Sequence, residues 1–169
     1  MKNLLLAAFI FLTGCATLSQ SQGLFSVVTP TTHQSGHFIW QEDAAHQKFY
    51  LELSGPLGLG ATSLSNETGP VVLTLSSGKT IVADSPEDLL QNTLGWSMPV
   101  SGMGYWILGK PVPTLPFTGE YDSQHRLLTL HQSGWVIHYT WNNAAPYPSQ
   151  IMLLRSDIKI LLAPSKPSA

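Results

Sequence analysis

Charge is the first thing this sequence lacks. Asp, Glu, Lys and Arg make up 11% of its 169 residues, where an average soluble protein carries about 25%. The net charge is −2, so there is no electrostatic footprint for gripping a phosphate backbone, and no nucleic-acid partner is expected. Cysteine is nearly absent. Cys15 stands alone, which rules out an internal disulfide and any multi-cysteine metal site. No apolar run approaches the roughly twenty residues of a membrane-crossing helix. HExxH, Walker and GxSxG motifs are missing, and with them the commonest signatures of metalloproteases, nucleotide hydrolases and serine hydrolases. The length excludes large scaffolds such as a TIM barrel, which takes about 250 residues. What remains is 43% hydrophobic, too apolar for a disordered chain.

The lone cysteine has an explanation in what precedes it. Met1-Lys2-Asn3 is a short basic start, Leu4 to Leu12 is unbroken apolar sequence, and Leu12-Thr13-Gly14-Cys15 follows. That is the shape of a secretory signal peptide. Small residues immediately before a cysteine resemble a bacterial lipobox, cut before Cys15, whose new N-terminal cysteine is then acylated on sulfur and nitrogen. Two or three acyl chains hold a protein stably on a membrane surface without spanning it. Residues 1–14 are therefore expected as a signal peptide and 15–22 as a lipidated tether. Residues 23–163 form one domain and 164–169 a tail. Ala16 after the cysteine, where an inner-membrane retention signal would carry Asp, resembles an outer-membrane address.

Most of the domain alternates with period two, the mark of half-buried strands. Phe49, Leu51 and Leu53 share one face, as do Val71, Leu73 and Leu75, and Trp135, Ile137, Tyr139 and Trp141. Ser77-Gly78, Ser133-Gly134 and Ser156-Asp157 punctuate the runs and imply antiparallel hairpins. The pattern predicts eleven strands, near 24–28, 36–41, 48–54, 59–65, 70–76, 79–83, 116–121, 126–132, 134–141, 149–155 and 158–163. Two short helices interrupt them. Ser85-Pro86-Glu87-Asp88 reads as a capped start, with Pro in the first turn and acids at the positive end of the dipole. Leu90 and Leu94 then share a face, and Gly95 stops the helix. A second helix is expected from about Ser101 to Leu108, with Met103, Trp106 and Ile107 in its apolar stripe and Gly109 and Pro111 beyond it.

Eleven short strands make a large sheet, and a flat one would leave an apolar face in water, so it should curl around a space. The helices are placed to plug that space or cover it. Its lining either packs solid or surrounds a greasy cavity, and composition does not choose between them. Catalytic readings find little support. His33, His37, His46, His125, His131 and His138 have no carboxylate pattern to complete a metal triad. Asp84, Glu87 and Asp88 are accounted for by helix capping. Gly55-Pro56-Leu57-Gly58-Leu59-Gly60 lacks phosphate-loop spacing and reads as a turn.

Three blocks carry a family resemblance. Gly55-Pro56-Leu57-Gly58 follows the strands Phe38-Ile39-Trp40 and Phe49 to Leu53. Gly95-Trp96-Ser97-Met98-Pro99-Val100 precedes Tyr105-Trp106-Ile107-Leu108-Gly109-Lys110-Pro111. Gln132-Ser133-Gly134-Trp135-Val136-Ile137-His138-Tyr139 comes last. Together, from about Gly23 to Leu162, they resemble the LolB family of outer-membrane lipoprotein receptors. The resemblance implies an incomplete, eleven-stranded antiparallel β-barrel with helices over its open side. It implies a hydrophobic cavity that accepts acylated lipoprotein cargo from a LolA-like periplasmic carrier and releases it into outer-membrane phospholipid. It also implies lipid anchoring through Cys15, in the outer membrane and facing the periplasm of a Gram-negative bacterium. Leu57 matches the leucine that dips into phospholipid, with Leu59 as its competitor. No cofactor, no metal and no catalytic residue is expected, and the chain is expected to act as a monomer.

The candidate cavity lining is Trp40, Leu53, Leu90, Met103, Trp106, Ile107, Trp135 and Ile137, which would otherwise be ordinary core. One departure bears on function. Family members usually carry a longer segment, including a helix, before the first strand, whereas here only Ala16 to Gln22 separate Cys15 from Gly23. That shortens the tether and removes one wall or lid element. The alternative reading is a structural or interaction lipoprotein of the same fold that transfers nothing.

Overall fold

A computed structural model describes residues 18–165, apart from 44, 46 and 144. All eleven expected strands are present: β1 (Leu18–Val28), β2 (His33–Asp43), β3 (Lys48–Ser54), β4 (Thr62–Ser65), β5 (Val71–Thr74), β6 (Thr80–Ala83), β7 (Phe117–Tyr121), β8 (Leu127–Gln132), β9 (Trp135–Thr140), β10 (Gln150–Arg155) and β11 (Ile158–Pro164). They form one antiparallel sheet in the order β6-β5-β4-β3-β2-β1-β11-β10-β9-β8-β7. The end strands β6 and β7 do not pair with each other, so the barrel stays open. Sheet neighbours are chain neighbours except at the seam, where β1 meets β11.

The alternation in sequence sets which face is buried. Phe25 and Val27, Phe38 and Trp40, Leu51 and Leu53, Ile137 and Tyr139, and Ile151 and Leu153 all point to the inside. Local chemistry fixes the turns. Ser133 and Gly134, both at positive φ, make the two-residue connection between β8 and β9 that suits the twist of a hairpin.

The two helices fall where capping residues place them. α1 (Pro86–Leu94) starts on Ser85, whose side chain accepts a hydrogen bond from Asp88 N at 3.2 Å, and ends at Gly95 with φ +80°. α2 (Val100–Trp106) is followed by a Schellman-type close. Gly109 N donates to Trp106 O at 3.0 Å and Lys110 N to Tyr105 O at 3.1 Å. Both helices turn apolar side chains into the concavity: Leu89 and Leu90 from α1, Val100, Met103 and Trp106 from α2, and Trp96 and Met98 from the segment between them. Glu87 ties the pair together by accepting from Ser101 N and Oγ at 2.9 and 2.8 Å.

Two boundaries differ from the sequence expectation. Residues 18–22, expected within the tether, are strand, and they pair with 39–43 of β2. Ladder hydrogen bonds use backbone groups alone, so Gln20-Ser21-Gln22 joins a sheet with almost no apolar side chain to announce it, and Ser21 is buried. At the other end Pro164, expected to open a frayed tail, closes β11. Its neighbour Ser165 donates from both N and Oγ to Gln22 O at 2.8 Å. Residues 1–17 and 166–169 lie outside the described part, and with them the expected signal peptide, Cys15 and the remainder of the expected tail.

Candidate functional site

The inside of the curled sheet answers the question that composition left open: it is mostly filled. Trp40, Leu53, Leu90, Met103, Trp106, Ile107, Trp135 and Ile137 all belong to one buried cluster. Trp40 stacks on Phe49 with ring centroids 5.6 Å apart. Trp135 lies under the Arg155 guanidinium, 4.7 Å from the ring centroid. Of these eight residues, Leu53 opens onto a space of mixed polarity, and Trp106 and Trp135 reach a smaller one.

The larger space is a cavity of about 470 Å³ on the first half of the sheet. Phe25, Leu53, Leu94 and Trp96 line it together with the polar His33, Gln34, Ser35 and Thr62, and Pro56, Leu59 and Gly60 form its rim. That rim is the turn singled out in the sequence. Gly55 N donates to Leu59 O at 2.8 Å and Gly58 N to Gly55 O at 3.0 Å, which folds Pro56–Gly58 into a single tight turn. Leu57, Gly58 and Gly60 sit at φ +64°, +74° and +67°. Glycine adopts that region freely, whereas leucine does so rarely. The result is a stem of fixed shape whose tip is Leu57, 91% exposed, with Leu59 beside it at 71%.

The walls of the interior are held in different ways. On the first half, Trp96 Nε1 donates to Gln34 Oε1 at 3.1 Å. On the second half a buried glutamine does far more. Gln132 Oε1 accepts from Trp106 Nε1 at 2.8 Å and from Val112 N at 2.9 Å, while its Nε2 donates to Val112 O at 2.9 Å and Leu115 O at 3.1 Å. Both lone pairs of the amide oxygen and both hydrogens of its nitrogen are engaged. Beside this clasp lies the smaller cavity, about 170 Å³, lined by Ser101, Trp106, Leu115 and Trp135 among others. Trp141 adds a further tie, donating to Leu127 O at 2.6 Å.

Polar groups inside are few, and two are unpaired. Trp40 Nε1 and Tyr139 Oη are buried with no hydrogen-bond partner among the described residues. Burial pushes the Tyr139 hydroxyl well above its ordinary value, so it stays neutral. Glu42, inward-facing on β2, has its carboxyl raised by burial. The Trp40 indole offsets that in part without completing a hydrogen bond. The Glu42 carboxylate lies where a side chain on Gly104 of α2 would go, so this glycine makes room for packing, as Gly102 does for the Trp106 ring.

Such a chamber offers apolar surface and almost no charge, and no group of three or more metal-ligating side chains occurs among the described residues. It can take up an apolar chain, and it holds little to catalyse with. The sequence reading missed Gln132, Gln34 and Leu94. Gln132 did leave a signal: it shares a face with Leu130, at an inward position where polar side chains are rarely left unpartnered.

A family model described as outer membrane lipoprotein LolB matches residues 19–165. The chain is 35% identical over 147 residues to the outer-membrane lipoprotein LolB of Pseudomonas syringae pv. syringae (strain B728a), covering 85% of this chain and 70% of that protein. With the protein of the same name from Stutzerimonas stutzeri (strain A1501) it shares 34% over 146 residues, again 85% and 70% of the two chains. With that of Francisella tularensis subsp. tularensis (strain FSC 198) it shares 28% over 145 residues, 83% and 69%.

Proposed function

The chain belongs to the LolB family of outer-membrane lipoproteins, and from that premise we propose that it accepts acylated lipoproteins from a LolA-like periplasmic carrier and delivers them into the outer membrane. Cys15 carries its own acyl anchor in this reading. The observation that supports it most directly is the juxtaposition at the mouth. A cavity of about 470 Å³ with Phe25, Leu53, Leu94 and Trp96 on its wall opens beside a tight turn that holds Leu57 in solvent.

The physical need is plain. Each methylene exposed to water costs about 0.8 kcal/mol, so a lipoprotein's acyl chains cannot cross the periplasm bare. A receptor must therefore offer a dry concavity in exchange for the carrier's. The mouth cavity receives the end of one chain. Deeper entry displaces Leu90, Met103 and Ile107 from the sheet and brings the chain against Trp40, Leu53, Trp106, Trp135 and Ile137. No covalent step is required, and no cofactor: the cargo moves down a gradient of affinity from carrier to receptor to bilayer. Leu57 gains about 1.5–3 kcal/mol when buried in lipid. That is too little to anchor the protein and enough to aim the mouth.

Transfer of a fluorescent-acyl lipoprotein to liposomes tests this. Leu57→Glu should leave folding and acyl uptake intact, because the side chain touches almost nothing, and should stop release into the liposomes. Leu59→Glu is the control. Normal delivery by folded Leu57→Glu removes the leucine from the mechanism and favours a lipoprotein that keeps the fold without transferring cargo.

A further inference from the structure

The outside of the sheet is not uniformly polar. On β3 and β4 the outward positions are polar: Tyr50, Glu52, Ser54, Ser63 and Ser65. At the seam between β1 and β11 apolar side chains gather among polar Ser26 and Lys159. Leu24 is 55% exposed and stands in register with Ala163, while Ser26 stands opposite Leu161 and Leu161 opposite Met152. Between these strands and Pro56 lies an outward-facing groove of about 370 Å³, walled by Leu24, Leu161, Ala163, Pro56 and His37. Pro56 is shared: it walls this groove on one side and the mouth of the interior on the other. The Leu57 turn is thus a sill between the inside of the barrel and an apolar strip on its outside.

We infer that this seam is the surface on which the protein lies against the bilayer, with the groove at Leu24, Leu161 and Ala163 seated on phospholipid acyl chains. The inference rests on the proposed anchoring at Cys15. Three residue steps separate Cys15 from Leu18, where β1 begins, and they reach at most about 10 Å. The turn carrying Leu57 lies toward the other end of the strand, because Ser54 pairs with His37 and His37 with Leu24. Leu18 to Leu24 spans about 20 Å of strand. An anchor fixed at one end and a leucine inserted at the other leave β1 little height to gain. Its tilt from the membrane plane is held to about 30° by those two lengths. A strand lying that flat must put one sheet face on the lipid, and the face contiguous with Pro56 is the apolar one. No helix among the described residues is long and apolar enough to cross a membrane. In this seat the mouth opens sideways at the lipid surface, and a chain leaving it passes over the sill into the bilayer.

The test uses the full, lipidated chain in liposomes of phosphatidylethanolamine and phosphatidylglycerol. Cys15 is the chain's single cysteine and is blocked by its own acyl group, so a second cysteine can be labelled alone with an environment-sensitive dye. Labels at Leu24→Cys and Ala163→Cys should shift to the blue and lose emission to nitroxide-bearing lipids. A label at Ser63→Cys, on the outer face of β4, should do neither. If labels at 24 and 163 are as wet as the one at 63, the seat is wrong. A fourth label, Leu57→Cys, separates the two readings. Leu57 embedded with 24 and 163 in water overturns the seat and keeps the tip. Residues 24 and 163 embedded with 57 in water keeps the seat and overturns the tip.

Discussion

The two halves of this sheet enclose the same interior and close it by different means. The second half, β7 to β11, grips α2 and the loop after it through Gln132, which spends its whole amide on Trp106, Val112 and Leu115. The first half, β1 to β6, meets the helices through apolar packing and one indole hydrogen bond, Trp96 to Gln34. It is on this looser side that the cavity opens and the Leu57 turn projects. A chamber that must fill and empty needs one wall that stays and one that yields, and low local stability is found where proteins open. The division of polar bonds here assigns those parts.

The sharpest way to break the comparison is to cut each tie. Gln132→Leu strands the Trp106 indole N–H and the Val112 N–H in the core, while the Val112 carbonyl keeps its bond from Leu115 N. At about 1–3 kcal/mol for each unsatisfied group, the loss should reach roughly 3–5 kcal/mol. Gln34→Leu frees one indole N–H near solvent and should cost about 1 kcal/mol. Urea denaturation of the soluble Cys15→Ala form measures both. Equal losses would mean that the second half is no firmer than the first.

A charge at each opening sharpens the functional side. Leu94 is half-buried on the wall of the mouth, and Leu115 is half-exposed beside the smaller cavity. Leu94→Glu should weaken binding of a fluorescent fatty acid about tenfold, near 1.4 kcal/mol, with Leu115→Glu unchanged. Titration by tryptophan emission decides. The reverse order would place entry on the clasped side.

How far all this was legible in sequence depends on which chemistry wrote it. The strands were readable because burial on one face imposes alternation, as in Trp135, Ile137 and Tyr139, and the helix ends because Ser85, Pro86 and Gly95 act locally. The extra strand residues 18–22 were not, since a backbone ladder leaves no trace in polar side chains. The packed interior was not either: Leu90 or Met103 reads the same whether it faces a void or another side chain. Gln132 was half-legible, a polar residue in an apolar register, though its partners in α2 and the following loop depend on the fold. Cys15 and its acylation rest on the sequence alone.

Tyr139 tests whether the packed interior is at its optimum. Its hydroxyl is buried without a partner among the described residues, so the folded state bears the desolvation and gets no bond for it. Tyr139→Phe should therefore raise stability by about 1 kcal/mol, seen as a higher urea midpoint with unchanged slope. A loss instead would mean that the hydroxyl is satisfied by a water within the core.

The smallest effect concerns where the first half touches α2. The Glu42 carboxyl of β2 faces the backbone at Gly104, and burial lifts its pKa above the ordinary 4.5, with the Trp40 indole opposing. A carboxyl that holds its proton more tightly when folded favours the fold in its neutral form. Its contribution is whole below the unfolded value and is lost as pH rises through the raised one. At neutral pH, then, the contact between β2 and α2 carries an unwelcome charge, on the very side that has to yield. Glu42→Gln keeps the shape and removes the charge at every pH. The variant should be more stable than the parent at pH 7, and the gap should close as pH falls below about 4.5. Chemical denaturation at pH 7 and pH 4 reads the difference directly. A gap of the same size at both would show that Glu42 acts through packing rather than charge, and the looser grip of the first half would then owe nothing to its carboxylate.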